Sequence, residues 1–372
     1  MKILFLCWRD TTHPQGGGSE RYLERVGEYL VQHGHEVVYR TAAHDAAPRR
    51  QVRDGIRFSR AGGKFTVYSR AWLALLAGRL GVGPLRGVDV VVDTQNGIPF
   101  FARVFSGRPT VLLTHHCHRE QWPVAGPVLS RVGWFLERRV APRVYRSSPY
   151  VTVSESSAGE LVELGVNAEA IRIIRSGIDP VPVDFARYPD SGTTHLVTLS
   201  RLVPHKQIEH AMDVIAALLP THDVVLDVIG SGWWEQQLRD YAVSLGVGDR
   251  VILHGQVSEE HKHALLARAT LHLMPSRKEG WGLAVIEAAQ HGVPTLGYRS
   301  SAGLNDSVID GVTGVLVDDK AALIRATADL IDDGPGRSRL GAAAERRATE
   351  FSWEFTGEQF AELLNHVAGR RR

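Results

Sequence analysis

Two spacings alternate along this chain. Short apolar, largely β-branched runs predict buried strands at Ile3 to Leu6, Glu36 to Arg40, Val88 to Asp93, Thr110 to Leu113 and Tyr150 to Val153. Between them lie longer stretches with apolar residues three and four apart, the spacing of amphipathic helices. Strand-then-helix repetition of this kind predicts parallel sheets built from βαβ units. The proline-rich segment GIDPVPVDFARYPDSG, Gly177 to Gly192, has no period and reads as a linker. A second strand set follows: His195 to Leu199, Val224 to Ile229, Arg250 to His254, Leu271 to Met274 and Thr295 to Gly297. The expectation is an α/β chain of two doubly wound domains facing each other across a cleft. Their bounds are 1–184 and 185–350, with a closing amphipathic helix in 351–372 whose Arg370–Arg372 tail reads as frayed.

Composition agrees with that architecture. A length of 372 residues exceeds what one hydrophobic core usually organises, and 44% apolar with 23% charged residues is ordinary for a soluble protein. No stretch approaches the roughly 20 apolar residues needed to cross a bilayer. MKILFLCWRD is too short in its apolar run, and too soon charged, for a signal peptide, so a cytoplasmic location is expected. Cys7 and Cys117 are the only cysteines and have no metal or redox spacing.

Charge is divided unevenly. Through Asp184 there are 24 Lys and Arg against 17 Asp and Glu, a balance of +7; the remainder has 19 against 24, or −5. Arginines concentrate at Arg131, Arg138, Arg139, Arg143 and Arg146, and a second patch carries Lys64, Arg70 and Arg79 around Trp72. A basic amphipathic helix suits an anionic lipid surface, giving peripheral contact with the inner face of the membrane, or is simply the solvated face of an ordinary helix. No nucleic-acid partner is expected.

Candidate chemistry begins with EGWGLAVIE, Glu279 to Glu287. Eight residues of helix rise about 12 Å, so the two carboxylates could grip the two ends of an extended ligand. Gly280 and Gly282 keep side chains away where the chain enters a helix, and the amides from Trp281 through Leu283 to Ala284 are then first-turn donors suited to phosphate or sugar oxygens. Upstream, Ser200-Arg201 ends a predicted strand, and Lys206 lies in the loop before a helix expected from Ile208. A planar guanidinium fork and a mobile ammonium are the usual complement for a diphosphate. In the first half, Gly16, Gly17 and Gly18 stand between strand and helix, where backbone can approach phosphates closely. The chain has neither a G-x-G-x-x-G fingerprint nor a Walker A loop, which counts against oxidoreductase and NTPase readings. His115, His116 and His118 gather at a strand's carboxyl end, but neighbours so close in sequence ligate zinc poorly, and no metal is expected.

The chain resembles the GT-B-fold glycosyltransferases of the large retaining group called family 4. The resemblance is carried by SRLVPHK at Ser200 to Lys206, VIGSG at Val228 to Gly232, the Glu279/Glu287 pair, HGVPTLGY, and DGVTGVLVDD from Asp310. GGSERYLERVGEYLVQHGHEV from Gly17, VSESS at Val153 and IIRSGID at Ile173 to Asp179 add to it, so that it covers essentially the whole chain. His205 stands where an acidic or other charged residue is common, and Arg175-Ser176 replace a frequent Pro-Asn.

The resemblance implies retaining, metal-independent transfer of a hexosyl group from a nucleotide diphosphate sugar to a small-molecule, glycan or lipid acceptor. It implies no cofactor beyond that co-substrate. A sugar-nucleotide epimerase or hydrolase is the competing reading. By the same likeness Glu287 meets the ribose hydroxyls and Glu279 the hexose. Gly230 and Gly232 leave room for the nucleoside, and Val257 borders the base. His116, with His115 as the alternative, contacts the transferred sugar, while His118, Arg119 and Trp122 face the acceptor. His116, Glu279, Arg201 and Lys206 form the expected catalytic set.

Overall fold

The apolar runs become strands buried on both faces, as parallel sheets require; Val224–Ile229, for example, is buried throughout in the computed structural model. The structure describes residues 1–64, 66–119, 122, 126–189 and 192–369. The Arg370–Arg372 tail, Asp190 and Ser191 of the linker, and Glu120 and Gln121 after the histidine cluster lie outside the described residues. Two compact units form, Met1–Gly177 with Ser352–Arg372, and Ile178–Phe351. The change of unit falls at Gly177, ahead of the position expected within the linker.

The first unit holds β1 Lys2–Leu6, β2 Glu36–Thr41, β3 Arg50–Arg53, β4 Ile56–Arg60, β5 Val90–Thr94, β6 Thr110–Leu113, β7 Tyr150–Thr152 and β8 Ile171–Ile173. Its helices are α1 Gly18–Gln32, α2 Val67–Arg79, α3 Ala102–Phe105, α4 Pro127–Phe135, α5 Ala141–Val144 and α6 Glu155–Glu163. The sheet order is β3-β4-β2-β1-β5-β6-β7-β8. Every pair is parallel except β3 with β4, an edge hairpin. The Asp54-Gly55 turn joining that hairpin has positive φ at both residues, as a two-residue hairpin turn demands.

The second unit holds β9 Thr194–Leu199, β10 Val224–Ile229, β11 Val251–Gly255, β12 Leu271–Met274, β13 Thr295–Tyr298 and β14 Gly314–Val317. Its helices are α7 Ile208–Leu218, α8 Glu235–Ser244, α9 Glu259–Arg268, α10 Leu283–Ala289, α11 Leu304–Ser307, α12 Lys320–Asp332 and α13 Gly334–Ala348. All its strands are parallel, in the order β11-β10-β9-β12-β13-β14. Renumbered within the unit this is 3-2-1-4-5-6, the doubly wound order, whose direction reverses between the first and fourth strands. A core of Leu196, Leu226, Val228, Leu271 and Leu273 against Ile208, Met212 and Ile215 holds α7 on this sheet.

The last helix, α14 Trp353–Gly369, belongs to the first unit and packs on α1. Tyr22 meets Trp353 and Phe360 edge-on at 6.1 and 6.2 Å. A β-carbon on Gly357 would run into the Tyr29 ring, so a glycine there lets the two helices close up.

Candidate functional site

Ligands of doubly wound sheets bind outside the strand ends where the order reverses, here beyond the carboxyl ends of β9 and β12. The loop after β9 is SRLVPHK and the loop after β12 is PSRKEGWG. Topology alone therefore brings together the two motifs that stand far apart in sequence. Lys206 Nζ donates to Glu279 Oε1 at 2.5 Å across that point, with the two side chains only 12% and 9% exposed. A second tie is the amide of Arg277, which donates to the His205 carbonyl at 2.9 Å. Burial and the neighbouring Lys206 charge push the His205 imidazole down to about 4, so it is neutral at ordinary pH. Arg201, Arg277 and Glu279 also act on it, which places the exposed Arg201 within electrostatic reach of His205.

The glycines near this point have backbone reasons. The Ser200 amide donates to Ile229 O and the Leu202 amide to Ser231 O, both at 3.0 Å, zipping the loops after β9 and β10 together. Gly230 has φ +127°, and a β-carbon on it would strike the Ser200 carbonyl; one on Gly232 would strike that of Leu202. Both therefore serve the loop packing that holds Arg201 and Lys206, besides any nearness to a nucleoside. Gly282, at φ +88°, is the residue before α10. Gly303 lies so close behind Glu279 that any side chain would meet the Glu279 carbonyl. Sequence reasoning did not single out Gly303. Gly280 and Leu283 are half-buried beside these residues, and the Trp281 ring is buried edge-on against Phe351 at 5.2 Å.

Glu287 does not share the Lys206 pair. On α10 it accepts from Lys262 Nζ at 2.6 Å, and Lys262 also reaches Glu259 at 2.7 Å. Burial would lower the Lys262 ammonium, but the two carboxylates more than offset that and hold it above its usual range. Lys262 sits on α9, just after half-buried Val257, which packs on the cluster of Val197, Ile229 and Leu265. The far end of α9 is pinned by Arg268, whose Nη2 donates at 2.6 Å to Asp227, a buried β10 carboxylate also bonded to His195 and His254. Lys262 too went unnoticed in the sequence, where its partner lies 25 residues on.

In the first unit the strand order reverses between β1 and β5. Gly16 and Gly17 follow β1, but their amides are already engaged, with His13 O at 2.7 Å and with the buried Glu20 carboxylate at 2.8 Å. Gly18 opens α1. The histidine cluster follows β6. Burial pushes His115 down to about 4, and its ring meets Tyr22 edge-on at 5.2 Å, so it fills the interior. His116 is half-buried and stacks on His118 at 4.5 Å. Arg119 is exposed.

What organises this cluster is Glu137, which sequence reasoning passed over as one acid among arginines. Fully buried in a π-helical turn, Leu136–Val140, it accepts from the His118 amide at 2.9 Å and from Trp122 Nε1 at 2.6 Å. Side chains at Gly97 and Gly133 would collide with the Trp122 ring, so both glycines make room for it. Single π turns recur at functional sites because the extra residue redirects a side chain, here a carboxylate turned inward. Among the described residues, no group of three His, Cys, Asp or Glu side chains is placed to hold a metal ion.

The chain matches two family models, Glycosyltransferase Family 4 over residues 16–181 and Glycosyl transferases group 1 over 185–347. A GDP-mannose-dependent alpha-(1-6)-phosphatidylinositol monomannoside mannosyltransferase of Mycolicibacterium smegmatis is 30% identical over 289 residues, 72% of each chain. A glycogen synthase of Mycobacterium tuberculosis is 27% identical over the whole of this chain and 95% of that one. Among solved structures, sucrose-phosphate synthase from Thermosynechococcus elongatus superimposes with a TM-score of 0.82 at 20% identity, covering 99% of both chains.

Proposed function

Because this chain belongs to the glycosyl transferases group 1 of family 4, retaining GT-B-fold enzymes that take sugar from a nucleotide-sugar donor, we propose that it moves a hexosyl group from a nucleoside diphosphate hexose to an acceptor hydroxyl. One observation carries this reading: a lysine and a carboxylate in contact, nearly buried, where the strand order of the second unit reverses. A cation beside a carboxylate suits the junction of a diphosphate and a sugar, one partner for each. The hexosyl assignment is supported by the names of two relatives, a glycogen synthase and a mannosyltransferase.

In this reaction the bond from the anomeric carbon to the diphosphate oxygen breaks, and negative charge grows on the departing phosphate. Lys206 and Arg201 stabilise that charge, which is where fixed donors accelerate most. Glu279 accepts from hexose hydroxyls and Glu287 from the ribose, its carboxylate aimed by Lys262. Backbone from Gly280 to Leu283 borders the donor, and Gly230, Gly232 and Val257 flank the nucleoside. The acceptor oxygen bonds to the anomeric carbon on the face the phosphate leaves, and its proton passes to the departing phosphate oxygen. From the first unit, His116 is assigned to the transferred sugar, and Gly16 to Gly18 to the donor through the close approach a backbone without side chains allows, the Gly16 and Gly17 amides being engaged with His13 and Glu20. His118, Arg119 and Trp122 are assigned to the acceptor, with Glu137 as the residue that positions His118 and Trp122.

Incubation with UDP-, GDP-, ADP- and dTDP-hexoses, with and without a mixture of glycan and lipid acceptors, tests the proposal. One donor should be consumed, and only when acceptor is present. Steady release of free hexose, or its conversion to an epimer without acceptor, would overturn the transferase assignment.

A further inference from the structure

The helical stretch from Pro127 through the π turn to Arg146 has two faces of different character. Gly133, Glu137, Ala141 and Tyr145, four residues apart, are buried against the first unit. The opposite side is bare. Val128 is 72% exposed, Leu129 51%, Val132 49% and Phe135 58%. Along the same outward line the apolar residues give way to exposed arginines, Arg138, Arg139, Arg143 and Arg146, with Arg131 flanking the apolar part. The sole acid in the stretch, Glu137, is buried beneath and committed to His118 and Trp122. A shallow, almost wholly apolar hollow of about 470 Å³ is lined by Phe135, Val140 and Val144 with the stems of Arg139 and Arg143.

We propose that this face docks on the surface of an anionic lipid bilayer, with Val128, Val132 and Phe135 among the headgroups and the arginines at lipid phosphates. Apolar side chains and cations on one exposed helix face, with no exposed acid to repel the surface, are what interfacial binding requires. A second copy of the chain fits less well, because an isologous contact would bring the arginines of both copies into one interface with no exposed acid on this face to pair with them. The second basic patch also exposes Leu73, Leu76 and Leu80 beside Arg70 and Arg79, but its aromatic residue is not available to a surface. Trp72 is drawn into the fold, donating from Nε1 to Phe100 O at 2.6 Å and stacking on Phe105 at 5.1 Å. The proposal rests on this surface alone and does not depend on the identity of the sugar donor.

Co-sedimentation of the full chain with vesicles tests it. Vesicles of equal parts phosphatidylcholine and phosphatidylglycerol should bind the protein, vesicles of phosphatidylcholine alone should not, and added salt should weaken the binding. R138Q/R139Q/R143Q should bind about a hundredfold more weakly, about fivefold for each arginine, equivalent to ~1 kcal/mol apiece. V132S/F135S should also weaken binding while keeping the charge. Both variants change exposed side chains, so their melting temperatures should match the parent. Equal binding to both vesicle types, undiminished binding by both variants, or self-association abolished by V132S/F135S in a protein that ignores vesicles would each overturn the proposal.

Discussion

The two units reverse their strand order in the same way, yet the two crossing points differ in what their charges do. In the second unit, Lys206 and Glu279 meet, nearly buried, on loops that follow the strands, and Arg201 stands exposed on the first of those loops. In the first, the charges beyond β1 are spent internally. Asp10 holds Arg60 at 2.6 Å with both side chains fully buried, Glu20 holds Arg9 at 3.2 Å, and Glu24 holds Arg53. Near the end of β5, Asp93 accepts from the amides of Phe100 and Ala102 and from the Tyr145 hydroxyl, and burial raises it to about 6. Topology thus selects a place, and the side chains there decide whether it fastens loops or meets a ligand.

The largest effect expected from breaking this contrast is on turnover. Glu279→Gln keeps the shape and removes the charge, and kcat should fall by about 10² to 10³ in donor-consumption kinetics, the range for losing one fixed contact to the reacting group. Nucleoside diphosphate affinity should be little changed, since Glu279 is assigned to the sugar. Next in size is a change in the other crossing point. Arg60→Met takes the guanidinium from buried Asp10 and leaves it the Thr12 amide and hydroxyl, with His44 at 3.4 Å; losing one partner of a buried ion pair costs about 3 to 5 kcal/mol. Denaturant unfolding should show that loss, while nucleoside diphosphate binding, read below the melting temperature, should remain.

A smaller effect separates positioning from contact. Lys262→Met should raise the donor KM about tenfold with kcat nearly unchanged, the pattern for lost uniform binding, and Lys262→Arg should restore most of it. The smallest is a pH effect on stability. Burial depresses His115, His205 and His291 to about 4 in the folded state against an ordinary value near 6.5. Between those values the unfolded chain binds more protons, so stability falls as pH drops from about 6.5 towards 4. Thermal melts across that window should show it.

Much of this was legible because parallel strands are continuous apolar runs. Leu271–Met274 and Val224–Ile229 match their expected bounds, and α7 begins at the expected Ile208. The edge strands β3 and β4 were not expected, because RQVR and IRFSR alternate polar residues and only the Asp54-Gly55 turn betrays them. The short strand β14 lay inside DGVTGVLVDD, a segment quoted for the family resemblance, and β8 meets IIRSGID only at Ile173. Lys206 and Glu279 could be nominated from their residue types, but their contact depends on β12 lying beside β9. Lys262 and Glu137 escaped for a related reason. Each looks like a surface charge in its own helix and acquires meaning only from a partner on another element, though the small residues Gly133 and Ala141 on either side of Glu137 were a sign that this face turns inward.

The proposed function turns on Lys206, at the crossing point of the second unit, receiving the donor's diphosphate. Calorimetric titration of the matching nucleoside diphosphate, and of its nucleoside, into the parent protein and Lys206→Ala tests it most directly. The account predicts that the variant binds the diphosphate at least tenfold more weakly, ~1.4 kcal/mol, while its affinity for the nucleoside is unchanged. Equal diphosphate affinity in both proteins would contradict it.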